Sequence, residues 1–483
     1  MSSIKSIFVT GATGYVGGSL IPRLLEEGYH VRVLVRNPEK LRVKIWKGDV
    51  EVFKGDVLEP VTLVQALSGV EVAYYLIHSM VSGKTFAERD LTAARTFSEA
   101  VTRTGVKRII YLGGLGDPET NLSEHLMSRQ ETGQILRRSA ACLTEFRAAV
   151  IVGAGSISFE MIRYLTERIP IMICPRWVRS KVQPIAIDNV IEYLVSAIKN
   201  PRSSGQIIEI GGADVLTYGE MMKSYARVRG LRRGLISVPV LTPRLSSYWV
   251  HWVTPVSAAF ARPLIEGLRN EVVIRDNKAS ELFPQIKPSA YENAVRQALS
   301  QLDPDWFEDF TNQLASTRST GRPANFKTIS NGMIIEVRQH LVHSRASAVY
   351  RIVTSIGGTN GWPCNWAWRL RAMLDRIIGG IGMRKGRTDP AEVKVGDTLD
   401  FFRIVKVKSD RMIRMKVEMK LPGDGWLQFD VAPQGKDKAR LIQTVFFAPK
   451  GVPGMIYWYL LYPLHGLIFS KMIRMLAQRS EQI

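Results

Sequence analysis

Residues 4 to about 212 alternate short apolar runs with amphipathic stretches. The runs at 7–10, 31–36, 50–57, 72–78, 108–114 and 147–153 read as buried strands. Between them, 17–27, 60–67, 86–104 and 122–138 repeat their apolar positions at helical spacing. Strand and helix in strict alternation predict an α/β fold with a doubly wound parallel sheet. Residues 213–300 form a mixed helical extension that ends in an amphipathic stretch at 291–302. The segment 316–332 lacks an aliphatic pattern and is rich in turn formers, as a linker is. After it the pattern changes to strand-like runs at 333–341, 398–408, 411–420, 425–432 and 439–447, followed by a helix over 454–479. Turn signals at Pro422-Gly423-Asp424-Gly425 and Gln434-Gly435-Lys436-Asp437 separate the later runs. This part predicts an α+β domain, an antiparallel sheet with a long C-terminal helix. The organisation is then a domain at 1–300, with 213–300 as its substrate-side extension, a linker at 301–332 and a second domain at 333–483. No internal repeat is visible.

Composition narrows the class. The chain has 483 residues, 46% hydrophobic and 23% charged, enough to bury several cores and unlike a disordered or multi-span membrane protein. Three widely spaced cysteines, Cys142, Cys174 and Cys364, form neither a disulfide framework nor a metal spacing, which fits a reducing compartment. Lys+Arg minus Asp+Glu is 65 − 44 = +21, and residues 329–483 hold 24 basic against 12 acidic residues. That surplus attracts polyanions: nucleic acid, anionic lipid or a phosphorylated cofactor. No nucleic-acid reading module accompanies it, so nucleic acid is not expected as a partner. The start of the sequence shows no secretion signal, and the one long apolar run, 454–469, contains Pro463 and His465 and is short for a membrane span. The expected location is cytoplasmic, with peripheral contact at the inner face of an anionic membrane as the alternative.

The most informative segment is Gly11-Ala12-Thr13-Gly14-Tyr15-Val16-Gly17, between the first strand and the first helix. Gly11 permits a tight turn, Gly14 lets the backbone approach a pyrophosphate, and Gly17 allows close helix–strand packing. The anion would sit on free N–H groups at the positive end of the helix. Where an acidic residue would hold the ribose of NAD, the second strand ends at Arg36. A guanidinium suits a 2′-phosphate, so NADP(H) is favoured over NAD(H). Asp56 and Val57 would flank the adenine. Leu76, Ile77 and His78, ending the fourth strand, and Gly113, in the fifth, complete the expected cofactor set.

With these motifs, residues 1–300 resemble the short-chain dehydrogenase/reductase superfamily, in its extended, atypical NmrA-like branch. The glycine loop, the Gly55-Asp56-Val57 step, Asp90, the stretch from Gln183 to Val190 and Glu209-Ile210-Gly211-Gly212 carry the resemblance. Residues 333–483 resemble a bacterial domain of unknown function often fused to such proteins. The cues are Gly361-Trp362-Pro363, the segment from Leu374 to Gly380 and the stretch at 422–429. Its strand-rich body and terminal helix are similar to the helix-grip fold, which implies a cavity for apolar ligands.

In the dehydrogenase superfamily a tyrosine donates the proton, a lysine four residues later lowers its pKa, and a serine after the fifth strand holds the carbonyl. This chain departs at all three places, reading Leu112-Gly113-Gly114 at the strand end and Glu124-His125-Leu126-Met127-Ser128-Arg129 in the helix. His125 and Arg129 keep the four-residue spacing and share a helix face. In one reading His125, with an imidazole pKa near 6.5, is the acid and Arg129 holds the nicotinamide ribose, with His78 as a second candidate; in the other, His125 and Arg129 are ordinary helix residues and hydride chemistry is absent or different. His340 and His343 lack partners at metal spacing, and no metal is expected. Trp362, Trp366, Trp368, Trp426 and Trp458 read first as core packing and second as a cavity lining. Arg384–Arg387 reads first as a solvated basic loop and second as a contact for phosphate or a lipid headgroup, and Tyr248–Val253 as either packing or part of a substrate pocket. The sequence thus predicts an NADP(H)-binding oxidoreductase that reduces a hydrophobic carbonyl, enone or quinone. A non-catalytic cofactor sensor and a peripheral membrane or assembly factor are the competing readings.

Overall fold

The computed structural model describes residues 5–482 apart from 42–43, 79–85, 118, 120–121, 175, 238–265, 269, 308–324, 331 and 384–392. The stretches Tyr248–Val253 and Arg384–Arg387 lie outside the described residues. The chain divides into two compact units, Met1–Gln301 and Leu302–Ile483.

The first unit is built on seven strands: β1 (Ser6–Val9), β2 (His30–Val35), β3 (Glu51–Lys54), β4 (Val72–Tyr75), β5 (Arg108–Gly114), β6 (Cys142–Ala148) and β7 (Ile207–Ile210). All pairings are parallel, in the order β7-β6-β5-β4-β1-β2-β3. The order reverses between β1 and β4, which opens a crevice at the carboxyl ends of these two strands. Helices cover both faces: α1 (Tyr15–Glu26), α2 (Pro60–Leu67), α3 (Phe86–Thr104), α4 (Glu124–Arg137), α5 (Ile157–Arg168), α6 (Ile187–Lys199) and α7 (Tyr218–Arg229). Central strands are therefore buried on both sides, and Ile7, Phe8, Val9, Ala73, Tyr74, Ile109 and Ile110 have no exposed surface.

β6 begins at Cys142, five residues before the apolar run that announced it. Its polar residues are buried and paired: the Arg108 guanidinium donates to Thr144 Oγ1 at 2.8 Å, and Glu145 takes Arg147 at 2.7 Å and Arg137 at 3.2 Å. Satisfied charges can replace apolar side chains in a strand interior, and a hydrophobicity pattern does not register them.

The second unit contains β8 (Asn325–Ser330), β9 (Met333–Val342), β10 (Thr398–Leu399), β11 (Phe402–Lys408), β12 (Met412–Val417), β13 (Gly423–Pro433) and β14 (Ala439–Pro449). They form one antiparallel sheet in the order β8-β9-β14-β13-β12-β11-β10. β8 falls within the stretch read as linker; it is an edge strand, with four polar residues out of six, held by its pairing with β9. The run at 398–408 is broken at Asp400, whose φ of 55° turns the chain and whose carboxylate accepts the Trp362 indole N–H at 2.7 Å. Two helices follow β9, α8 (Ala346–Thr354) and α9 (Asn365–Ile377), and the last helix, α10, runs from Gly451 to Glu481 across one face of the sheet. The core between helix and sheet includes Leu441, Val445, Phe447, Trp458, Phe469, Met472 and Leu476. At the end of α9, buried Asp375 accepts backbone N–H groups from Gly382 and Lys420, both at 2.8 Å, which fixes that helix to the sheet. Among the described residues no helix is long and apolar enough to cross a membrane.

Candidate functional site

The glycine loop spans the end of β1 and the start of α1. Gly11 has φ +72°, and a side chain there would meet the Leu76 carbonyl oxygen at 2.5 Å. At Gly17 a Cβ would fall 2.4 Å from the Gly11 oxygen, so loop and helix pack at a distance only glycine allows. Gly14 is the N-cap of α1; it supplies no side-chain cap, and the first turn holds no acidic residue. The positive helix end is thus left to an outside anion, and a pyrophosphate fits it. Ala12 is buried, and the Tyr15 hydroxyl occupies the space beside Gly153 where a Cβ would stand. Tyr15 therefore ties the loop to the segment after β6.

Arg36 follows β2 with its side chain 74% exposed, 4.0 Å from the Asp56 carboxylate. An exposed guanidinium at the end of β2 has the chemistry that suits a phosphate. Val57 is buried beside Leu34 and Leu63 in the core under the sheet.

A cavity of about 340 Å³ joins the loop to the ends of β4 and β5. Gly14, Tyr15, Val16 and Gly17 line it together with Leu76, Gly113, His78, His125 and Arg129. Gly11, Ala12, Thr13, Ile77, Arg36, Asp56 and Val57 are not part of that lining. Met161, Ile162, Val150 and Leu268 give the opposite wall an apolar character.

Three side chains form a chain that reaches this cavity through the lining residues His78 and His125. Asp90, in α3, lies 2.9 Å from Nδ1 of His78, and Nε2 of His78 lies 3.1 Å from Nδ1 of His125, in α4. The carboxylate requires the proton on His78 Nδ1, so His78 Nε2 accepts from His125 Nδ1–H, and His125 Nε2 remains for a ligand. The Arg129 guanidinium donates to the Leu112 carbonyl and lies over the Tyr111 ring at 5.6 Å, while the Tyr111 hydroxyl donates to the Arg129 carbonyl at 2.9 Å. Arg129 is thereby fixed at the end of β5.

The imidazole near pKa 6.5 expected for His125 is not what this environment allows. Burial, with the His78 and Arg129 charges, pushes His125 down to about 3. Burial also lowers His78, against the hydrogen bond to Asp90 that raises it. Both rings are neutral near pH 7. A histidine neutral in the fold but protonated in the unfolded chain below about 6.5 makes the unfolded state bind more protons. The contribution is fully present above pH 6.5 and is lost as pH falls from there toward 3. Urea midpoints at pH 7 and pH 5 test this: His125→Gln is expected to remove about 2 kcal/mol of the acid-side loss.

Asp90 entered the sequence reading only as a feature of the resemblance, and its partnership with His78 was missed. No spacing rule joins residues 78, 90 and 125; the sheet brings them together. Among the described residues no group of histidines, cysteines and carboxylates could hold a metal.

Residues 11–150 match the family model described as NAD(P)H-binding, and residues 333–472 match the model described as protein of unknown function (DUF2867). A ceramide reductase of Caulobacter vibrioides is 27% identical over 239 residues, 48% of this chain and 73% of that protein. The photosystem II assembly factor Ycf39 of Guillardia theta is 24% identical over 272 residues, 55% of this chain and 85% of that protein. Among solved structures, the Citrobacter sp. triphenylmethane reductase complexed with NADP(H) superposes with a TM-score of 0.50 at 20% identity, covering 61% of this chain and 99% of that one.

Proposed function

We propose that this chain, whose N-terminal unit is an NAD(P)H-binding Rossmann domain of the atypical, NmrA-like short-chain dehydrogenase/reductase kind, is an NADP(H)-dependent oxidoreductase reducing a hydrophobic carbonyl, enone or quinone. The observation that carries this reading is the Asp90–His78–His125 chain opening into the same cavity as the glycine loop. NADPH, when bound, supplies the hydride. Gly11 to Gly17 would hold its pyrophosphate, Arg36 its 2′-phosphate and Arg129 the nicotinamide ribose. Once the pair has taken up one proton, the charge rests on His78 beside Asp90 and the His125 hydrogen on Nε2; His125 Nε2 then gives that hydrogen to the substrate oxygen while Nδ1 takes one from His78 Nε2, which leaves both rings neutral. In the reverse direction the same nitrogen takes the proton back. The apolar wall at Met161 and Ile162 selects a hydrophobic substrate and keeps water from the relay.

Fluorescence titration with NADPH and NADH, alongside an Arg36→Glu variant, tests the coenzyme assignment. The variant is expected to weaken NADPH at least tenfold and to leave NADH nearly unchanged. NADPH oxidation across quinones, enones and long-chain aldehydes then tests turnover. Binding without turnover on any of them would leave a cofactor-responsive regulator instead.

A second reading concerns the C-terminal unit. More than half of the exposed large apolar side chains among the described residues fall in or next to α9 and α10, including Trp366, Leu370, Ile377, Leu460 and Leu467. Exposed Arg369, Arg376, Lys420 and Lys471 stand among or beside them. An apolar face with cationic flanks suits the surface of an anionic membrane, where each Lys or Arg gains about 1 kcal/mol. Sedimentation with phosphatidylglycerol vesicles at low salt should pellet the protein, and Leu460→Asp with Ile377→Asp should cut the bound fraction at least fivefold. Protein that stays in the supernatant sinks this reading.

A further inference from the structure

His125 is the second residue of α4 and lies in its first turn, where backbone N–H groups lack intrahelical partners and helices fray. Its contact with His78, 3.1 Å long, tolerates little movement, since hydrogen bonds fail outside a narrow range of distance and angle. Ser123 caps the turn, its Oγ accepting from the Leu126 N–H. Ser123 is in turn held from a distant part of the chain: its backbone N–H donates to Oδ1 of Asn270 at 3.3 Å. Gly267 packs beside it, and a Cβ there would stand 3.7 Å from Ser123 Oγ.

Asn270 can act as an anchor because residues 270–275 are themselves fixed. The Val272 N–H donates to the Lys181 carbonyl, and the Val272 carbonyl accepts from the Gln183 N–H, both at 3.0 Å. The Arg275 guanidinium lies 2.6 Å from the carboxylate of Glu209, a buried residue of β7. It also donates to Asp117, between β5 and α4, at 2.8 Å. The connection from β5 to α4 is thus gripped at Asp117 and at Ser123 from one run of chain. Gly267, Leu268 and Val272, from the same region, line the cavity that His125 reaches.

We propose that Asn270 is a positioning residue for the proton donor: it holds Ser123, and with it the first turn of α4, where His125 meets His78. The proposal rests on the reading of His125 as that donor. A misplacement of about 1 Å near a reacting group costs about 10²-fold in rate, so one acceptor oxygen at this position has leverage on turnover. Aspartate keeps such an oxygen, whereas alanine and leucine lack it.

Nuclear magnetic resonance of the full chain carrying nitrogen-15-labelled histidine tests the assignment at pH 7. His125→Gln identifies the ring signals of His125 among the seven histidines. In the wild type, Nδ1–H of His125 is expected as a slowly exchanging, hydrogen-bonded signal. Asn270→Ala and Asn270→Leu should broaden or abolish it, and Asn270→Asp should keep it, with melting temperatures close to wild type throughout. On whichever quinone, enone or aldehyde NADPH reduces, the first two variants should lose at least tenfold in rate, while NADPH affinity changes less than twofold. Asn270→Asp should stay within threefold of the wild-type rate. A His125 signal intact in both acceptor-free variants, or lost equally in Asn270→Asp, would overturn the proposal. So would an undiminished rate in Asn270→Ala and Asn270→Leu. A wild-type protein without turnover would sink the reductase reading instead, and the spectra would still decide whether Asn270 holds His125.

Discussion

A Gly14→Asp protein is expected to fold as the wild type does and to lose dinucleotide binding by at least a hundredfold. Gly14 occupies the N-cap of α1 with φ −79° and ψ 174°, an extended backbone open to any residue. The nearest obstacle to its Cβ is the Gly11 oxygen at 3.1 Å, a contact relieved by a shift of a few tenths of an ångström. Aspartate is among the best N-cap residues, and its carboxylate would serve amide groups that now have no side-chain cap. The helix loses nothing, but its positive end is then filled by the protein itself. Two unit charges about 4 Å apart near a protein surface interact by about 4 kcal/mol, so a pyrophosphate brought to that carboxylate is repelled by more than a hundredfold in affinity. Melting temperature and an NADPH fluorescence titration on the same sample separate the two effects. An unaltered dissociation constant would remove the anion from this end of α1.

The second large effect is expected from the histidine pair. His125→Ala should lower the rate of NADPH-dependent reduction by about 10²- to 10⁴-fold, the range for removing a positioned proton donor. The NADPH dissociation constant should change by less than threefold, because the pyrophosphate and adenosine contacts are elsewhere. The pH profile distinguishes chemistry from damage. Reduction needs one proton more than the neutral relay holds, and both rings take it up only below about 6.5. The wild-type rate should therefore fall as pH rises, with its midpoint on the acid side of 6.5, and the His125→Ala rate should be flat. Asp90→Asn offers an independent check, since an amide no longer fixes the His78 proton on Nδ1 or stabilises the charged ring. A His125→Ala enzyme with the wild-type rate and slope would take the relay out of the mechanism.

The outer architecture was legible because it follows from burial alone. Pro60–Leu67 and Phe86–Thr104 begin and end where the apolar period and the proline at the helix start place them. The glycine loop was legible for a different reason: its geometry excludes side chains, so the sequence carries the constraint directly. The relay was not. Helical spacing paired His125 with Arg129, yet the nearest functional neighbour of His125 is His78, delivered by the end of β4. α9 was not predicted although its sequence carries the helical period: Trp366, Leu370 and Ile377 share one face and Arg369 and Arg376 another, but here it is the apolar face that is exposed, the reverse of what burial leads one to expect.

The buried charges of β6 have a consequence for how the sheet is assembled. Successive residues of a strand face opposite sides, and a slip of one residue exchanges those sides. In the native alignment Glu145 meets Arg137, while Phe146 packs on the other side against Tyr193 and Phe283. A shifted β6 would bring a carboxylate into that aromatic layer and strand Arg137 without its partner, an error costing several kcal/mol. An all-apolar strand at the same place would have had several tolerable alignments between its neighbours. The residues that conceal β6 from a hydrophobicity pattern thus act against mispairing, leaving the strand one way to dock.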